Sequence, residues 1–132
     1  MARRQFPLPE EDVDFLESTR LDWDSVTEGN IKRIVLKMFP VPTGYNHDKV
    51  DLNVRIEAAY PDTQLDMVYF YPRLARLDGK AIAATADDTF DGKTWQRWSR
   101  HRTRQNPWRP GLDNLGSHIA LIKEWLQLEL RK

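Results

Sequence analysis

Apolar and polar positions alternate strictly from residue 50 to 58: Val50, Leu52, Val54, Ile56 and Ala58 against Asp51, Asn53, Arg55 and Glu57. A period of two puts one set on a core and the other toward solvent, the pattern of a half-buried strand. Residues 31–39 alternate in the same way, with Ile34, Leu36 and Met38 opposite Arg33 and Lys37. Residues 66–71 predict a third strand, ended by Pro72, and Tyr60-Pro61-Asp62 closes the second, since proline cannot donate into a ladder. The period changes near the end of the chain. Leu112, Leu115, Ile119, Ile122 and Leu126 are spaced 3, 4, 3 and 4, which predicts an amphipathic helix over 112–130, with Asp113 and Asn114 at its start. A shorter helix begins at Pro9-Glu10-Glu11-Asp12, where acids suit the positive end of the helix dipole; Val13 and Leu16, extended by Arg20 or Leu21, give it a stripe.

Turn residues divide these elements. Glu28-Gly29-Asn30 and Leu77-Asp78-Gly79-Lys80 read as turns, 40–46 and 87–92 as polar loops, and Pro110-Gly111 as a reset before the last helix. The order is helix, antiparallel meander, long irregular loop, helix. That order argues α+β, with helices packed on one face of a four-stranded antiparallel sheet. The Tyr60-Pro61 turn is expected beside residues 95–101. The length of 132 residues fits one domain over 1–132, with 1–8 expected to be flexible.

Composition removes several classes of function. There is no Cys, so thiol nucleophiles, thiolate metal sites and disulfides are out. His47, His101 and His118 are far apart, and no metal site is expected. The chain has no phosphate loop and no Gly-x-Gly-x-x-Gly, and no cofactor is expected. No window resembles a membrane span, and Met1-Ala2-Arg3-Arg4-Gln5-Phe6-Pro7 does not resemble a secretory signal, so no membrane partner and a cytoplasmic location are expected.

Charge is distributed unevenly. The chain is formally neutral, yet residues 93–109 hold six Lys or Arg, three of the five Trp and no acid. Such an excess favours an anionic ligand or an acidic protein face. Interleaved Trp and Arg also suit single-stranded nucleic acid. Zero net charge and the shortness of the segment make nucleic acid the second choice.

Several residues in this order resemble the ubiquitin-conjugating enzyme (UBC) fold. Tyr60-Pro61, the strand Met67-Val68-Tyr69-Phe70-Tyr71-Pro72, the Phe90-Asp91-Gly92 turn, Trp108-Arg109-Pro110 and the helix after it are similar to that fold's landmarks. More narrowly, Trp95-Gln96-Arg97-Trp98-Ser99-Arg100-His101, followed by Trp108-Arg109-Pro110-Gly111-Leu112-Asp113-Asn114-Leu115, resembles a divergent prokaryotic UBC-like family associated with ubiquitin-like proteins, activating enzymes and peptidases. The resemblance covers about residues 30–130. It implies a bacterial conjugation component whose partners are an activating-enzyme-like protein and a ubiquitin-like protein. It also implies that the conventional Cys position falls near Trp95, and neither a Cys nor a His-Pro-Asn is present. Thioester transfer is excluded for this chain as it stands. It is then a scaffold, an oxyester carrier, or a chain whose natural Cys has been replaced.

Ser99 and His101 are the one nearby pair able to supply a nucleophile and its base. Against that stands a Ser in a turn and a His in a structural hydrogen bond. Arg97, Arg100, Arg102 and Arg104 are the expected partner-binding surface, because guanidinium forks match carboxylates. Trp98 and Trp108 are expected to pin the loop, and Trp95 to be exposed with the arginines. Asp113 or Asn114 would hold His101, while His47 and His118 carry no expected role.

Overall fold

The computed structural model describes residues 2–132. Its elements are α1 (Glu10–Ser18), β1 (Trp23–Glu28), β2 (Ile31–Pro40), β3 (Lys49–Ile56), β4 (Val68–Tyr71), β5 (Thr85–Phe90), β6 (Lys93–Trp98) and α2 (Leu115–Glu129). The strands form one antiparallel sheet in the order β1-β2-β3-β4-β6-β5. The α+β class and the flanking helices agree with the sequence pattern. The sheet has six strands rather than four.

The two extra pairs come from hairpins. Glu28-Gly29-Asn30 joins β1 to β2, with Glu28 opposite Ile31. Asp91 and Gly92 join β5 to β6 with φ of 53° and 73°. Two successive positive φ values make the tight hairpin turn that Asp-Gly favours. The polar loop expected over 87–92 is therefore an edge strand and its turn. The first half of the basic segment, expected as an irregular loop, is an inner strand.

The helices cover one face of the sheet. Ile34, Leu36, Leu52, Val54, Val68, Phe70 and Trp98 pack there with Leu16 of α1 and Leu115, Ile119, Ile122 and Leu126 of α2. Met38 was expected in this row but is 57% exposed. The β2–β3 register shifts between Leu36 and Phe39, and Met38 takes φ 56°, so the bulge turns Met38 out and Phe39 in. Leu112 is exposed too, because α2 starts three residues later than the stripe implies.

The opposite face is not solvated as simple alternation predicts. It carries a second core of Val26, Val35, Tyr69, Phe90 and Trp95. Arg33 is buried among them, its guanidinium 4.3 Å from the Tyr69 ring centre, 4.5 Å from that of Phe90 and 2.7 Å from the Asp88 carboxylate. β2 and β5 lie four strand spacings apart, roughly 19 Å in a flat sheet. One ion pair spans them only because the sheet curls strongly on this side. Arg3, bonded to Asp91, and Glu28, which accepts from the Asp91 N–H, join the same two ends.

The first residues are part of this closure. Gln5 N–H donates to the Ser25 carbonyl, Ser25 N–H donates to the Arg3 carbonyl, and Phe6 is buried. Flexibility was expected for 1–8. The described part of that stretch covers the β1 edge, whose unpaired peptide groups offer it partners.

Removing the Arg33 charge tests the curl. Arg33→Met is expected to destabilise the fold by about 2 kcal/mol in urea denaturation, because Asp88 loses its buried cation. Arg33→Met with Asp88→Asn should cost less than the sum of the single changes.

Candidate functional site

β6 ends at Trp98, and residues 99–109 leave the sheet as coil over the start of α2. Three contacts set their path. Ser99 N–H donates to the Ala84 carbonyl, and Met67 N–H donates to the Arg100 carbonyl. Trp108 Nε1–H donates to the Pro61 carbonyl at 3.1 Å, with its ring 6.2 Å from that of Tyr60. The Tyr60-Pro61 turn thus lies against the far end of the segment, at Trp108.

The helix start beneath is tightly fixed. Asn114 caps α2 by accepting from Ser117 N–H, while Ser117 Oγ accepts from Asn114 N–H, the reciprocal pairing of a capping box. Asp113 accepts the Arg109 N–H and the Ser117 hydroxyl, which hold its carboxyl below the usual range against the opposing effect of burial. Neither residue holds His101. Asp12 reaches across from α1, accepting from Leu115 N–H and from the Tyr60 hydroxyl. Burial raises the Asp12 carboxyl, and burial with that carboxylate beside it raises the Tyr60 phenol.

His101 is instead held by Asp66, with Nδ1 2.7 Å from a carboxylate oxygen and the imidazole 62% exposed. This arrangement orients a histidine and leaves Nε2 toward solvent, the relation of base and orienting acid in acyl-transfer sites. No hydrogen bond links Ser99 to His101 among the described residues. Asp66 lies 35 residues from His101 in sequence, and no local pattern connects them.

His118 also belongs to this neighbourhood. It is fully buried, with Nε2 2.9 Å from the Met67 carbonyl and its ring edge-on to Trp125 at 5.6 Å. The bonded Nε2 carries the proton, so Nδ1 is a bare acceptor, and it has no partner. Desolvation pushes the imidazole down to about 4, with the Met67 carbonyl and nearby Asp66 opposing and Arg102 assisting. Asp66 keeps one buried carboxylate oxygen without a partner, as Arg102 does Nε and one terminal nitrogen. Loop, β4 approach and helix thus each contribute orphaned polar atoms to one region. Burial of such groups is costly, and they invite water or a ligand. The sequence signal for His118 was its place on the apolar stripe between Leu115 and Ile122.

The expected partner-binding residues separate into two sets. Trp95 is 1% exposed, because β6 alternation turns it into the second core, where its indole N–H donates to the Phe90 carbonyl. Its expected exposure is corrected, and the Asp91-Gly92 turn is a hairpin rather than the approach to an open site. Arg100 is also turned inward. It stacks on Trp98 at 4.9 Å, donates to the Ala83 carbonyl, and pairs with buried Glu129 at 2.9 Å. Arg97 lies in β6 on the face away from the helices. Arg102 stacks on Trp108 at 5.1 Å without a carboxylate partner among the described residues, and Arg104 is exposed. With Trp95 and Trp98 both buried, two of the three indoles lose their stacking faces for nucleic acid.

The family model of prokaryotic E2 family E matches residues 8–129. The chain belongs to that family. The match spans α1 to the end of α2, so the E2-like assignment covers the whole sheet and the 99–109 segment alike. E2-like proteins generally work with activating-enzyme-like and ubiquitin-like proteins. Neither the curated proteins nor the solved structures gave a match. No helix among the described residues is long and apolar enough to cross a membrane, and those residues hold no cluster of acids and histidines suited to a metal ion.

The buried imidazole makes a signed pH prediction. Its folded value near 4 lies below the ordinary 6.5, so the folded state favours the neutral form. The stabilisation is complete above about pH 6.5 and is lost as pH falls toward 4, by ~3 kcal/mol in all. In urea titrations from pH 7.5 to 4, His118→Gln should lack this component, giving a flatter curve than the native chain.

Proposed function

We propose that this E2-like chain is a component of a bacterial ubiquitin-like conjugation system. It docks an activating-enzyme-like or ubiquitin-like partner through the 99–109 segment and acts as a Cys-less scaffold. The observation that carries this reading is Arg102. Its guanidinium is laid on Trp108 with no ion pair among the described residues, beside exposed Arg104, at the end of an E2-like sheet. A cation held in place on Trp108, with an exposed guanidinium beside it, suits an acidic patch or a partner's tail carboxylate.

The absence of Cys favours a scaffold over a carrier. The carrier reading, a ubiquitin-like tail held as an oxyester on Ser99 with His101 as base, draws support from the Asp66–His101 pair. It requires Ser99 Oγ to reach His101 Nε2 once a partner is bound.

Charge reversal at Arg102 and Arg104 together is expected to slow association with the activating enzyme or ubiquitin-like partner by tenfold or more at low salt, on the order of electrostatic steering effects. Stopped-flow association rates decide the matter, and unchanged rates would remove this surface. Arg100→Glu should instead lower thermal stability, because it places two carboxylates together at Glu129.

The carrier reading has its own test. The chain is mixed with activating enzyme, ubiquitin-like protein and ATP, and any adduct is mapped by mass spectrometry. An oxyester on Ser99 survives a thiol reductant, cleaves in hydroxylamine and disappears in Ser99→Ala. No adduct supports the scaffold.

A further inference from the structure

The face of the sheet turned away from the helices holds a polar cluster that the 99–109 site does not use. Arg33 in β2 stands directly opposite Arg55 in β3. Like charges in facing positions are normally avoided. Asn53 stands opposite Tyr69, and Tyr69 opposite Arg97, so the row continues across β4 into β6. The Tyr69 hydroxyl feels the positive fields of Arg33, Arg55 and Arg97 against the single carboxylate of Asp88, while burial raises its pKa.

Arg33 and Arg55 each have one acidic partner, and Arg97 has none among the described residues. Asp88 is taken by Arg33, which is 3% exposed. Arg55 has only Glu57 at 3.2 Å, an exposed pair on the rim. Arg97 makes no ion pair among the described residues, and its shielded Nε has no hydrogen-bond partner. Asn53 is 0% exposed, and neither its amide nitrogen nor its amide oxygen has a partner among the described residues. Two further groups on this face are engaged elsewhere: Asp51 accepts the Met38 N–H, and Lys93 stands 5.0 Å over the Tyr71 ring.

We infer that this concave face binds a phosphate-type oxyanion between Arg55 and Arg97, with the Tyr69 hydroxyl and the Asn53 amide as its floor. The two guanidiniums present planar forks, which suit the several oxygens of a tetrahedral dianion. Arg33, locked by Asp88 between two aromatic rings, adds field without moving. Arg55 and Arg97 are long and only partly buried, so their heads can swing to admit the anion to the Asn53 amide. A dianion also relieves the Arg33–Arg55 opposition. The site shares no residue with the 99–109 segment and does not depend on the function proposed for it.

Inorganic phosphate is the probe. Arginine Nε–H and asparagine side-chain amide signals are followed by 15N NMR while phosphate is titrated at constant ionic strength, with acetate and chloride as comparison anions. Saturable shifts at Arg97 Nε and the Asn53 amide with phosphate, and far weaker ones with acetate, are expected. Arg97→Gln and Arg55→Gln should each weaken binding by about tenfold, the loss of one charge-assisted contact. Arg104→Gln, in the other basic region, should leave it unchanged. If either glutamine variant fails to fold, Arg97→Lys keeps the charge, loses the fork and should still bind phosphate more weakly. Non-saturating shifts, equal responses to acetate, or undiminished binding in both Arg55 and Arg97 variants would overturn the site.

Discussion

Trp98 closes β6 fully buried, its ring 5.2 Å from Phe70 and 6.1 Å from Tyr45, with its indole N–H donating to Gln96. An indole of this size is too large to expose and too polar at one atom to bury without a partner. Gln96 supplies that partner and also grips both the N–H and the carbonyl of Leu74, so strand and preceding loop are fixed together. The chain must then leave the sheet at Ser99. Arg100 lies on the outer indole face and reaches Glu129 near the end of α2. Only after these commitments are met does the basic segment come free, from His101 onward. Position of the candidate site is therefore a consequence of where one tryptophan can be buried.

The two faces of the sheet solve different problems. The helix-covered face is a conventional apolar core. The other has no covering layer and buries itself by curling, with Arg33 and Asp88 joining strands that a flat sheet would keep apart. A buried ion pair is weak evidence for stability. Its value here is geometric: it selects a curled sheet over a flat one and leaves the concave face rich in guanidinium. This division also separates the two basic regions. Arg102 and Arg104 lie at the sheet end near α2, and Arg55 and Arg97 on the face away from it.

Residues gathered around His118 show how an E2-like frame retains polar chemistry without a thiol. Asp66, Arg102 and His118 come from a strand approach, a coil and a helix, and each keeps buried polar atoms without protein partners. Packing holds them in place: the Met67 carbonyl accepts a hydrogen bond from His118 Nε2–H, and Trp108 carries Arg102. The region is thus fixed in shape by packing from three separate elements.

Periodicity by itself determined the α+β order, the β3 strand and the α2 stripe, because each follows from side chains only two to four residues apart. The bulge at Met38 and the β5–β6 hairpin escaped that reasoning, although Asp91-Gly92 carried a hairpin signal. Acidic residues 87 and 88 looked like a loop because the cation that accepts Asp88 lies 55 positions earlier, at Arg33. For the same reason the sequence marked residues 93–109 as one basic unit, whereas the fold splits them at Trp98 into an inner strand and an exposed coil. Composition counts charges; only tertiary structure decides which are spent on buried partners, as at Arg100, and which remain open, as at Arg104. His101 finding Asp66, and His118 losing water, are contacts between distant parts of the chain. Their energies depend on desolvation and through-space distance, and neither quantity exists until the chain has folded.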